Sequence, residues 1–115
     1  MSDGGEAMDG TRKHLFRLKA DVMKAAAHPI RLAIIDSLRS GERCVCDITR
    51  AVGAGRSNVS RHLAVMTRAG LLSSRKDGLM VYYSLRAPCI LRFLSCVEDC
   101  LKAQLRENAA ILRRL

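Results

Sequence analysis

The chain has 115 residues, 49% of them hydrophobic, 27% charged and 3% aromatic, with no Trp. That length holds one domain with a modest core, which Leu, Ile, Val, Ala and Met must build, and such a composition favours helices. A formal charge of +9 and a pI near 10.0 suit a polyanionic partner, while the recurring Lys and Arg exclude a signal peptide or the roughly 18 uninterrupted apolar residues of a membrane span.

A chain without either is expected in the cytosol. Its five cysteines, an odd number, then read as ligands or redox sensors rather than as a disulfide framework.

Residues 1–10 are small, acidic and Gly-containing and read as a flexible tail, leaving 11–115 as the single domain. From Thr11 the apolar positions Leu15, Leu18, Val22 and Ala25 or Ala26 recur at helical steps. His28-Pro29 breaks this helix and opens a second, whose core face is Ile30, Ile34, Ile35 and Leu38 and whose end is Ser40-Gly41.

A short helix over Asp47–Val52 follows, with Ile48, Ala51 and Val52 inward, and Gly53-Ala54-Gly55 is a turn. Ser57 reads as the N-cap of the next helix, whose Val59, Leu63 and Met66 face the core. Two short helices joined by a glycine turn match a helix-turn-helix. Leu71-Leu72 starts a strand, Asp77-Gly78 marks a hairpin tip, and Met80–Leu85 is rich in strand formers. Tyr82 and Tyr83 must lie on opposite faces, one in the core and one outside.

After Ala87-Pro88 a last amphipathic helix runs to about Arg113, with Ile90, Leu94, Val97, Leu101, Leu105 and Leu112 available for burial. The first and last helices carry more apolar surface than a small core needs, so a homodimer through both is expected. The fold class is therefore mainly α with a small β-hairpin wing.

The polyanion-facing residues concentrate in one interval. Arg50, Arg56, Arg61, Arg68, Arg75, Lys76 and Arg86 stand there against the single acid Asp77. A helix in the major groove reads bases with short polar and basic side chains near its N-terminus, and Ser57, Asn58, Ser60, Arg61 and His62 fit that need. Arg61 suits a guanine edge or a phosphate, and His62 suits packing or a phosphate ahead of a base. Arg75 and Lys76, beside the hairpin tip, suit the DNA backbone or minor groove.

The segments HPIRLAIIDSL, ERCVCDI, SNVSRHLAVMTRAGLL and VYYSL, within Lys24 to Leu85, resemble the ArsR/SmtB family of metal- and thiol-responsive repressors. The resemblance implies a winged-helix homodimer that binds an imperfect palindrome of double-stranded DNA when ligand-free and releases it when ligand binds. It also implies control of a detoxification or efflux operon.

Cys44-Val45-Cys46-Asp47 is similar to the arsenic-sensing motif of that family, which implies As(III) or Sb(III) as inducer on soft thiolates. The motif's third thiolate would fall three residues after Cys46, where Thr49 stands, so an exogenous ligand or another cysteine would complete the site. At about 100° per residue, Cys44 and Cys46 in one regular helix would point nearly opposite ways, so they share an ion only where the helix start is non-helical or unwinds.

Cys89, Cys96 and Cys100 form a second group on the last helix, with Cys96 and Cys100 one turn apart. Those two are candidate thiophilic ligands, whereas Cys89 reads first as core. The family's zinc-type site uses Asp, His and Glu ligands, and with His14, His28 and His62 all elsewhere its candidates on this helix reduce to Asp99 beside the thiols. Two other signals remain open: a disulfide or persulfide at the cysteines, and Cd(II), Pb(II) or Zn(II) at the thiolates. A thiol enzyme is not expected, because CVC is not the C-x-x-C redox motif. A constitutive DNA binder would need none of the cysteines.

Overall fold

A computed structural model describes residues 9–115; of the expected tail, residues 1–8 lie outside the described residues. Helix α1 (Gly10–Ala26) begins within that expected tail, because the Asp9 side chain accepts a hydrogen bond from the Arg12 N–H at 2.8 Å and caps it. The break at His28-Pro29 is as expected. The His28 Nδ1 accepts from the Ile30 N–H at 3.0 Å, and Pro29 opens α2 (Pro29–Ser37).

Helix α2 stops short of Ser40-Gly41. A turn carries the chain on to Gly41, whose φ of +128° suits glycine. The remaining elements are β1 (Arg43–Cys44), α3 (Val45–Val52), α4 (Arg56–Arg68), β2 (Leu72–Asp77), β3 (Met80–Leu85) and α5 (Ile90–Arg114).

Strand β1 was not foreseen, since two residues show no alternation to read. It completes an antiparallel sheet of order β1-β3-β2. The register pairs Cys44 and Arg75 with opposite edges of Tyr82, while Asp77 faces Met80 across the hairpin. The tip is thus Gly78-Leu79, and Gly78 at φ +62° fits the first central position of a type II′ turn.

The core joins Ile34, Ile35 and Leu38 of α2 to Ile48 of α3, then to Val59, Leu63 and Met66 of α4, with Leu72 of β2 closing it. Side chains buried this fully contribute roughly 1.5–3 kcal/mol each. Ala51, expected inward, is exposed.

Only the last turn of α1 joins this core, through Ala25 and Ala26, and α5 has no fully buried residue. Leu15, Phe16, Leu18 and Met23 of α1 stand exposed, as do Phe93, Val97, Leu101 and Leu105 of α5. An apolar groove between them is lined by Val22, Met23, Leu32, Phe93 and Val97. Among the described residues, no helix is long and apolar enough to cross a membrane.

Candidate nucleic-acid interface and thiol site

The two helices of the helix-turn-helix meet at Gly53, which adopts the left-handed conformation at φ +73° and caps α3 by donating its N–H to the Thr49 carbonyl. The N-cap of α4 is Gly55 rather than Ser57. Gly55 is extended and its carbonyl accepts the Val59 N–H at 2.9 Å, which starts the helix two residues early and puts Ser57 in its first turn.

The faces of α4 separate cleanly. Val59, Leu63 and Met66 are buried, while Ser57, Ser60 and Arg61 are exposed and Asn58 is half-buried. Arg61 donates from Nη2 to the Asn58 Oδ1 at 3.2 Å, so the guanidinium is oriented on the exposed face. Arg56, one of the basic residues between Arg50 and Arg86, is exposed as well on the first turn of α4 and extends its basic end beyond the expected base readers.

His62 belongs to a different environment. Its Nδ1 accepts from the Arg31 Nε at 3.0 Å, its ring centroid lies 4.3 Å from that of His28, and Arg31 also donates to the Ala25 carbonyl. Burial, followed by the nearby charges of His28, Arg31 and Arg61, holds the His62 imidazole below its ordinary pKa. The packed role is the one the geometry supports. Arg31 escaped the sequence reading, because its partner is 31 residues away.

Arg75 of β2 makes a bidentate pair with Glu42, Nε to Oε2 at 2.8 Å and Nη2 to Oε1 at 2.7 Å. Its guanidinium carbon lies 4.7 Å from the centroid of Tyr82, and Asp77 approaches to 3.7 Å. The hydrogen bonds to Arg75 hold the Glu42 carboxyl below the usual range, and the same bonds raise Arg75. Lys76 is exposed next to the hairpin tip. Tyr83 packs on the core while Tyr82 carries Arg75, the opposite-face arrangement that strand periodicity requires.

Cys44 is 7% exposed and Cys46 is half-buried. Cys44 ends β1 and is at once the N-cap of α3, with φ −78° and ψ 162°, and Cys46 is the second residue of that helix. The Cys44 side chain makes no capping hydrogen bond, and its extended backbone sets it apart from the helical spiral on which Cys46 lies. Both thiols therefore stand at the N-terminal end of α3, Cys44 outside the regular helix and Cys46 within it.

One turn further along α3, the Thr49 Oγ1 is buried with no hydrogen-bond partner, whereas the Thr67 Oγ1 on α4 donates to the Leu63 carbonyl at 2.7 Å. Cys96 and Cys100 are exposed on α5. Cys89, expected in the core, is exposed as well, because it stands at the start of α5 where that helix lines the open groove. Among the described residues, no group of three or more His, Cys, Asp or Glu side chains is placed to hold a metal ion.

A family model described as "Bacterial regulatory protein, arsR family" matches residues 28–74. An uncharacterized HTH-type transcriptional regulator of Mycobacterium tuberculosis is 36% identical over 102 residues, covering 88% of this chain and 90% of that one. The chain belongs to the arsR family of bacterial regulatory proteins.

Another relative, the arsenical resistance operon repressor of Escherichia coli K12, is 33% identical over 101 residues, with 87% and 86% of the two chains covered. Among solved structures, the homodimeric winged helix-turn-helix DNA-binding domain of a Mycobacterium bovis protein matches with a TM-score of 0.74 at 28% identity, over 93% of this chain and 95% of that one. The expected winged-helix fold is borne out, and the protein is an arsR-family transcriptional repressor, not an enzyme.

Proposed function

We propose that this repressor works in the cytoplasm as a homodimer on a two-fold operator and releases it when As(III) or Sb(III) is held by Cys44 and Cys46. The observation that carries this reading is the extended Cys44 at the N-cap of α3, which puts both thiols at one end of a helix of the DNA-binding pair. The donor set fits. Two soft sulfurs suit trivalent arsenic better than hard cations, and they fall short of the four ligands zinc ordinarily takes. Thr49, a buried hydroxyl without a partner one turn on, stands on the side where a third donor is wanted. When bound, trivalent arsenic supplies ligand exchange, each As–S bond formed on its trihydroxide releasing one water.

The chain's own residues account for the rest. Ser57, Asn58, Ser60 and Arg61 face the major groove from α4, and the first turn of that helix adds Arg56. Lys76 meets the backbone from the wing, and His62 holds α4 against α2 through Arg31. The exposed apolar faces of α1 and α5 form the dimer contact, in keeping with the homodimeric relative. Dimerisation sets two recognition helices about one helical turn of DNA apart.

The test is fluorescence anisotropy of the reduced protein on its own promoter DNA, with As(III), Cd(II), Zn(II) and a persulfide donor added separately. Release by As(III), lost in Cys44→Ser and Cys46→Ser while operator binding persists, is the expected result. Release by the persulfide donor alone would transfer the sensor to Cys96 and Cys100, which are exposed on one stripe of α5.

A further inference from the structure

The wing and the thiol segment are joined across two rows of the sheet, one of which runs through Cys44 itself. Cys44, Tyr82 and Arg75 are successive partners across β1, β3 and β2, so their side chains share one face. Over that face Arg75 reaches across the Tyr82 ring to the Glu42 carboxylate, two residues before Cys44. One of the two basic residues expected to reach DNA from the wing is thus paired with the carboxylate just before the strand that carries the thiol.

We propose that Glu42 and Arg75 form a latch that keeps the wing in its DNA-binding position, and that drawing Cys44 toward Cys46 opens it. Arg75 is then a positioning residue of the wing rather than a phosphate ligand. This rests on the reading of Cys44 and Cys46 as the inducer site.

The physical basis lies in which contacts yield first. Strand β1 is two residues long and lies at the edge of the sheet, with β3 as its strand partner. Cys46, by contrast, is part of α3, which is anchored in the core by Ile48. When the two thiols close on one centre, the shift is taken up by the short strand and not by the packed helix. A fork-to-fork guanidinium–carboxylate pair depends on in-plane alignment of both groups, so a displacement of about 1 Å at Glu42 disrupts it. Arg75 then leaves Tyr82, and the far half of the hairpin loses its side-chain tie to the segment before α3, while Leu72 keeps its base in the core.

The pair is half-exposed, with side-chain exposures of 54% for Arg75 and 34% for Glu42. Its share of the response is therefore a few-fold and not the whole of it.

The chain itself supplies the probe. It has no Trp and two tyrosines, both on β3. In a Tyr83→Phe background, emission comes from Tyr82 alone. Glu42→Gln, without any ligand, is expected to shift that emission and to weaken operator binding about threefold. Arsenite added to the Tyr83→Phe protein is expected to shift it in the same direction, saturating at one arsenic per subunit as counted by mass spectrometry, and not in Cys44→Ser. The double exchange Glu42→Arg with Arg75→Glu restores the pair and should restore the arsenite-dependent loss of operator affinity that either single change reduces.

Arsenic bound at Cys44 with Tyr82 emission unmoved, or single variants that retain the full arsenite response, would overturn the latch and leave the inducer site standing. No arsenic bound at all would overturn the inducer site, and the latch with it.

Discussion

Arg31 donates through Nε to the Nδ1 of His62 at 3.0 Å, fastening the start of α2 to the middle of the helix that faces DNA. A hydrogen bond in this direction requires an unprotonated His62 Nδ1, and the cation beside it opposes a second positive charge. The His28 ring and Arg61 act in the same sense, and burial is the largest contribution.

The fold should therefore weaken in mild acid. The folded-state pKa of His62 lies below its unfolded value of about 6.5, so the unfolded chain takes up the proton first as pH falls. Stability is complete above that value, declines as pH drops toward the folded pKa, and levels off below it. Thermal melts between pH 5 and 8 should show the decline, and His62→Gln should flatten it. An unchanged slope in the variant would assign the acid sensitivity to another group.

Arg61→Ala should weaken specific operator binding by about 1–3 kcal/mol, between roughly fivefold and 150-fold. The melting temperature should stay within a degree or two, because the side chain is exposed and its one recorded partner is Asn58. Anisotropy on cognate and scrambled duplexes separates the two roles open to it. A loss confined to the cognate site means a base contact, and an equal loss on both means a phosphate contact.

Thr49 offers two substitutions with opposite purposes. Thr49→Val replaces a buried hydroxyl that lacks a partner with a group of like shape, so it should raise stability by about 1 kcal/mol in denaturant melts. Thr49→Cys adds a third thiol one turn from Cys46 and should tighten As(III) binding without altering ligand-free operator affinity. No gain in As(III) affinity would mean that this face of α3 does not look into the site.

The apolar face of α5 predicts a dimer that one charge will break. Leu105 is 68% exposed in the protomer and lies on the same stripe as Val97 and Leu101. Leu105→Glu should elute as a monomer in gel filtration, retain the helical circular dichroism of the winged core, and lose most operator affinity. A dimer that persists would place the contact elsewhere.

The helical part of this molecule was legible in the sequence because each helix carries its own markers. His28-Pro29 starts α2, Gly53 ends α3, and Val59, Leu63 and Met66 give α4 a buried side and hence an exposed one. The hairpin announced itself through Asp77-Gly78 and the β-formers after it. The short motif around Cys44 and Cys46 likewise shows in the sequence the soft donors on which the proposed inducer site rests, since sulfur is a property of residue type.

Contacts between residues distant in the chain were decided only by the tertiary structure. Strand β1 exists because Arg43 and Cys44 find Tyr83 and Tyr82 on β3, a pairing that two residues cannot signal alone. The Arg31–His62 bond and the Glu42–Arg75 pair span 31 and 33 residues, and they give His62 and Arg75 internal partners that no local pattern marks. Local pattern records what each segment buries. Where a charged side chain ends up depends on which partner the folded chain brings within about 3 Å of it.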